Sequence, residues 1–534
     1  MDTSKNYIFI NGKIFTSDDN NPYADSMVVQ DGKIKWVGWQ KDLPSFSGIV
    51  EDLEGRRVIP GFVDAHMHPV MLANFRKKIS AMPPQVNSIE DLIQAIKACR
   101  KKQTADQWIE GWGYDEQGFL EKRSPNRYDL DRGCSDAPVS IMRTCAHIRC
   151  VNSRALELAG IDRNTPDPPG GEIERDADGE PTGILKENAR NLLAPLLPQE
   201  LEEEKVQNLM ELGTLLTSQG ITAICDMGNL DSSDNLPIYE QAVQKGFHQR
   251  VGIYYMWDFF ADDPLFCLSD EVTDRNRQIF AAGLKLIGDG SVSGRTAWMN
   301  KPYVGSDTEY GISVCDDTLL ESAIHFCRDH GCQLSIHAMG ARAIDKMVNR
   351  ACKEKKWTPD GIPHVRIEHV TDPTEESMKN AALYGIAFVT QPIFLYAESA
   401  SYLINLGSDW LKQCYPVKRM LELGLTVGFS TDAPATFWAV PSDPFPGIQE
   451  AVTRVSYNGT DCGKKQAVDI ETAIKLYTKG AAAAAGFHNL GMIAPGFCAD
   501  FIVLSDDILK ISPECIDKIH VKKTYISGEC VYSR

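Results

Sequence analysis

Five side chains in this sequence stand out as candidates to hold first-row metal ions: His66, His68, His337, His369 and Asp432. The first two stand two residues apart, as His66-Met67-His68. An extended backbone puts alternate side chains on one face, so both imidazoles would project together. Imidazole nitrogen suits Zn²⁺ and its neighbours, and a carboxylate such as Asp432 completes such a set. The matching chemistry is hydrolysis, because a bound divalent ion lowers the pKa of its water from about 15.7 toward roughly 7 and polarises a carbonyl. A carboxylate beside it can accept a proton and hand it to a leaving amine. Taken alone, a His-x-His pair is more often polar structure than a metal site. The five gain meaning from the elements that carry them.

Those elements are short, nearly all-apolar runs. They are Val58–Asp64, Gly220–Asp226, Val251–Met256, Leu284–Ile287, Gln333–His337, Val365–His369, Ile386–Thr390 and Thr426–Ser430. Helical patterns alternate with them from Leu201 onward, which is how buried parallel strands read. Eight such runs predict a (β/α)₈ barrel, whose reactive residues sit at the C-terminal ends of its strands. The first run leads into His66-Met67-His68, the fifth and sixth end in His337 and His369, and the eighth leads into Asp432; four of only eleven histidines therefore fall at strand ends. Lys285 lies early in the fourth run, and Asp289, Arg295 and Trp298 follow it, where they could face a substrate.

The remaining chain frames this barrel. Short β-rich runs at Tyr7–Ile10, Met27–Val29 and Lys33–Val37 are matched at the far end by Asp500–Leu504, Val521–Ile526 and Cys530–Tyr532. Asn11-Gly12, Asp31-Gly32 and Ser527-Gly528 stand as turns would. This predicts a small β-sandwich domain from residues 1–58 and 485–534 around a catalytic barrel at 59–484. The stretch between the first and second runs is far too long for a barrel loop. It holds helical patterns at Ile89–Lys102 and Asn152–Leu158, so residues 70–200 are expected to be a folded insertion over the barrel mouth. Glu202-Glu203-Glu204-Lys205 reads as a solvated helix start and Ala481–Ala485 as a tightly packed helix.

Bulk properties narrow the classes. The chain has 534 residues, is 43% hydrophobic and 24% charged, and carries a formal net charge of -18 without runs of Lys or Arg. An acidic surface disfavours nucleic acid and anionic membranes, which leaves a small-molecule substrate as the expected partner. No stretch approaches the roughly 20 apolar residues of a membrane helix, and the N-terminus lacks a basic region followed by an apolar one. The 15 cysteines include no CxxC pair, which fits reduced thiols in a cytoplasm better than a disulfide scaffold. A homodimer stays open.

In detail the motifs are similar to a known family. Pro60-Gly61-Phe62-Val63-Asp64-Ala65-His66-Met67-His68 resembles the first-strand signature of the amidohydrolase superfamily. Leu284–Ser291, His337-Ala338-Met339-Gly340, Arg366-Ile367-Glu368-His369 and Ser430-Thr431-Asp432-Ala433-Pro434 resemble its amidohydrolase-3 branch, that of the YtcJ-like proteins and N-substituted formamide deformylases. Gly111–Glu116, His147 with Val151-Asn152-Ser153, and Gly170–Ile173 followed by Gly179–Gly183 extend the similarity through the insertion. One departure is Ala341, where the branch often has Asp.

The resemblance implies an α/β metallo-barrel with a β-sandwich from both termini. It implies one metal on His66 and His68 and a second on His337 and His369, with Asp432 binding metal and moving protons. Zinc, as one or two ions, is the expected cofactor. Lys285 matches a position where many members carry a CO₂-carboxylated, metal-bridging lysine. His147 matches a family segment whose His faces the pocket, where it could hydrogen-bond a developing oxyanion. The expected reaction is hydrolysis of a non-peptide C–N bond, in an amide, an N-formyl or N-acyl amine, or a cyclic amide. An esterase, lactonase or deaminase on the same fold is the alternative, and a non-catalytic scaffold a third.

Overall fold

The structure is a computed structural model that describes residues 6–103, 107–116, 118–144, 148–198, 200–229 and 231–534. Eight parallel strands run through its centre: β1 (Phe62–Met67), β2 (Ile221–Asp226), β3 (Arg250–Met256), β4 (Ile279–Ile287), β5 (Gln333–Ala338), β6 (Val365–His369), β7 (Ala387–Thr390) and β8 (Val427–Phe429). Their order in the sheet is their order in the chain, and every neighbouring pair is parallel. The (β/α)₈ expectation is met. The first and last strands come together just beyond their C-terminal ends. There the amide of Asp432 donates to the His66 carbonyl at 2.8 Å, and that of His68 donates to the Ala433 carbonyl at 2.8 Å. The lumen floor is filled by small and aromatic side chains, among them Ala65, Ala223, Cys225, Tyr254, Phe280 and Ala387, with the Ala481–Ala485 helix packed against them.

Two strand readings are corrected. The run Val58–Asp64 is not one strand but breaks at Gly61. Arg57–Pro60 joins a terminal sheet, pairing with Lys13–Phe15 and Phe501–Leu504, while Phe62 starts the barrel. A β-carbon at Gly61 would lie 2.4 Å from the Thr222 side chain, so the crossing requires glycine. Strand β4 begins five residues before the expected Leu284, at Ile279.

The termini form a four-stranded and a six-stranded sheet. These pack face to face through a shared core that includes Phe9, Met27, Val58, Phe501 and Tyr525. Asp31-Gly32 and Ser527-Gly528 are two-residue hairpin turns with both residues at positive φ, the backbone that matches strand twist. Asn11-Gly12 is not a hairpin. It carries the chain from the four-stranded sheet, through Tyr7–Ile10, into the six-stranded one, through Lys13–Phe15.

The chain divides into two compact units, and Val70–Asn208 with Phe437–Pro441 make the second. It contains a six-stranded mixed sheet and the helices Ile89–Arg100 and Ser153–Ala159, capped by Ser88 and Asn152. Ile93, Ile96, Ile109, Val139 and Ile141 lie at its core. The long stretch after β1 is thus folded in its own right. Among the described residues no helix is long and apolar enough to cross a membrane.

Candidate metal centre

His66 and His68 sit at the C-terminal end of β1, and Asp432 follows β8. The Nε2 atoms of the two imidazoles lie 3.2 and 3.4 Å from the same Asp432 oxygen, Oδ1. The other ring nitrogens are engaged. His66 Nδ1 is 2.6 Å from Glu368 Oε2, and His68 Nδ1 is 3.0 Å from the Gly228 carbonyl. Carboxylates and carbonyls accept hydrogen bonds, so both rings carry their proton on Nδ1 and turn a lone pair toward Asp432. Lone pairs on nitrogen and oxygen therefore face one another. His66 Nε2 and Asp432 Oδ1 are buried without a hydrogen-bond partner. A cation among them reconciles all three groups, and donor atoms of His66, His68 and Asp432 lie within 4.8 Å of one another.

His337 and His369, ending β5 and β6, stand beside this trio. The His369 ring centroid is 4.8 Å from that of His66 and 4.3 Å from that of His337. His369 Nδ1 meets Gln391 Oε1 at 2.9 Å, and His337 Nε2 meets the Gly290 carbonyl at 2.9 Å. His369 thus keeps Nε2 free, whereas His337 keeps Nδ1. Burial, reinforced by Lys285, pushes His337 down to about 4, and burial with His337 nearby holds His369 well below the usual histidine range. Both are neutral at pH 7, as ligands must be. His369 and Asp432 have φ of +70° and +56°, a backbone region that non-glycine residues seldom adopt and that clusters at functional sites.

Lys285, inside β4, is buried with no hydrogen-bond partner for its Nζ, and burial lowers its pKa to about 8. Glu368 and Asp432 are the acidic groups acting on it.

Asp289, Arg295 and Trp298, the candidates for facing a substrate, lie in the segment after β4. Asp289 is fully buried and accepts the amides of Met339, Gly340 and Trp298 at 2.8–2.9 Å. It staples the loop after β4 to the loop after β5. The Arg295 guanidinium pairs with Glu309 at 2.7 Å and lies over the Tyr303 ring. Asp289 thus joins two loops, and the Arg295 guanidinium also reaches Asn405 Oδ1 at 3.4 Å. Trp298 is half-buried, with its backbone fastened to Asp289. His147 lies outside the described residues.

Sequence reading missed Glu368, Gln391 and Asp64. Asp64 accepts the amides of His66 and Thr431 and the Thr431 hydroxyl, which ties β1 to the segment carrying Asp432. The available signal was a charged residue inside an otherwise apolar strand, as in Phe62-Val63-Asp64 and Val365-Arg366-Ile367-Glu368. Such a group must be partnered.

Residues 50–532 match the model of the amidohydrolase family, and that span is nearly the whole chain. The chain belongs to the amidohydrolase family. That makes it a metal-dependent hydrolase acting on C–N bonds. It is 31% identical to a putative amidohydrolase, YtcJ, of Bacillus subtilis over 99% of both chains. It is 26% identical to the N-substituted formamide deformylase of Arthrobacter pascens, over 100% of this amidohydrolase and 99% of that enzyme. A crystal structure of an uncharacterized metal-dependent hydrolase from Pyrococcus horikoshii superposes with a TM-score of 0.73 at 26% identity, covering 96% of this chain and 99% of that one.

Proposed function

We propose that this amidohydrolase cleaves the C–N bond of an N-acyl or N-formyl amine or of a cyclic amide, at the site formed by His66, His68, His337, His369 and Asp432. The observation that carries this reading is the pair of imidazole lone pairs facing one buried carboxylate oxygen. Nitrogen donors with one carboxylate favour zinc. His66, His68 and Asp432 would hold one ion, and His337 and His369 would serve a second. A bound ion supplies Lewis acidity and makes water acidic enough to react near neutral pH.

The chain's own residues do the rest. Glu368, Gly228, Gly290 and Gln391 fix the four tautomers, so the rings need no rearrangement. The Asp432 carboxylate accepts the proton of the attacking water and delivers it to the departing nitrogen, which leaves as a neutral amine. Lys285 is the candidate for carboxylation. Its neutral amine would add to CO₂ and release a proton, replacing an unpartnered cation by a carboxylate. Every described cysteine is free, which fits a reducing cytoplasm.

The test is metal content measured beside turnover on N-formyl, N-acyl and cyclic amides and on matched esters. His66→Ala and His337→Ala should each lose metal and activity. Full occupancy and rate in both would overturn the site, and turnover of esters alone would overturn the substrate class.

A further inference from the structure

We propose that Glu368 is a positioning residue, and that Arg366 and Glu368 act as one buried pair that fixes which nitrogen of His66 faces the metal, a role that rests on the metal-binding reading above. Strand β6 sends both side chains into the lumen, because positions two apart share a face. Neither is exposed. Glu368 accepts from Ser335 Oγ at 2.7 Å, from Arg366 through Nε and Nη2, and from His66 Nδ1 at 2.6 Å. With a guanidinium filling one side of the carboxylate, Oε2 is left to receive the imidazole proton.

Arg366 holds the same stretch of β1 a second way. Its Nη2 donates to the Ala65 carbonyl, one peptide before His66, and its Nη1 donates to Tyr254 Oη at 3.2 Å. Tyr254 in turn donates to Gln333 Oε1 at 2.8 Å. Backbone and ring of the Ala65-His66 unit are thus anchored to one pair, which is itself anchored to β3 and β5. Stability alone is a poor reason for such a pair, since apolar side chains of similar volume often serve a core as well or better. What apolar residues cannot do is accept a proton from His66 Nδ1. Outer partners of metal-bound histidines typically change metal affinity 10–100-fold.

Glu368→Gln tests this, because the amide keeps the shape but can donate to Nδ1 and so favour the wrong tautomer. Zinc affinity is measured by chelator competition on metal-stripped, reloaded protein, alongside thermal melting of the stripped form. The expected result is a 10–100-fold loss of affinity in a variant whose stripped form still melts cooperatively, at a lower temperature than the parent because Arg366 loses its buried partner. Affinity within twofold of the parent overturns the proposal. Should the variant fail to fold, ¹⁵N-histidine spectra of the stripped parent decide. A His66 proton on Nδ1 supports the proposal, and one on Nε2 overturns it. His66→Ala separates the two readings. If it keeps zinc, the metal site itself is wrong; if it loses zinc while Glu368→Gln keeps it, only the positioning role fails.

Discussion

At the scale of single residues, Asp432 carries two duties that one substitution can part. Asp432→Asn keeps an oxygen for a cation but removes the basic carboxylate. General acid–base contributions run about 10²–10⁴-fold, so turnover should fall at least a hundredfold in samples whose metal content matches the parent. A loss under threefold with metal retained would take proton transfer away from Asp432. Residue type made the histidines and Asp432 legible in the sequence, since few side chains bind metal and these stood at strand ends. What the sequence withheld was direction. Nothing in Asp289 announces that its oxygens serve three backbone amides, because such partners come from loops distant in sequence. The left-handed backbone at His369 and Asp432 is likewise imposed by the barrel and not by local preference.

At the scale of elements, the barrel strands were readable from apolar runs, but their joints were not. The break at Gly61 is set by Thr222 on another strand, a contact that no local pattern reveals. A similar close approach occurs inside β4, where a β-carbon at Gly283 would lie 1.8 Å from the Gln333 carbonyl oxygen of β5. Backbone cannot yield as a side-chain tip can, so Gly283→Ala should force β4 and β5 apart and cost roughly 3 kcal/mol or more. Denaturant unfolding measures it; a cost under about 0.5 kcal/mol would show that the strands relax freely. The helix Pro444–Thr453 makes a different prediction. Its Glu450 is buried, both oxygens lack a hydrogen bond, and Arg454 is 3.4 Å away. Burial outweighs Arg454 and raises the carboxyl from 4.5 to about 7. In that window the folded chain binds a proton the unfolded chain has released, so stability falls as pH rises from 4.5 to about 7. Glu450→Gln removes that slope. Its stability relative to the parent should grow across the window by up to about 3 kcal/mol. A pH-independent difference between the two would show that Glu450 stays charged in the fold.

At the scale of the whole molecule, the sequence announced a long folded segment after the first strand but not the short piece that joins it from elsewhere in the chain. The second unit takes in Phe437–Pro441, five residues from the far end of the barrel that carry no signature of belonging there. The first unit, by contrast, holds every candidate ligand, namely His66, His68, Lys285, His337, His369 and Asp432. A bound ion stabilises the state that binds it by RT ln(1 + [L]/Kd), about 4 kcal/mol at a thousandfold excess over Kd. That energy should therefore be lost unevenly when metal is removed. Hydrogen exchange followed by mass spectrometry, with and without a chelator, reads the distribution. Stripping should raise exchange in β1, β5, β6 and the 430–436 segment, where Asp432 and Ala433 hydrogen-bond to His66 and His68. The sheet strands Ile109–Tyr114 and Val139–Arg143 of the second unit should keep their protection, and added zinc should restore the first set. Equal deprotection of both units would mean that the ion stabilises the chain as one body. No change in β1, β5 and β6, together with unchanged activity, would mean that no ion was held there.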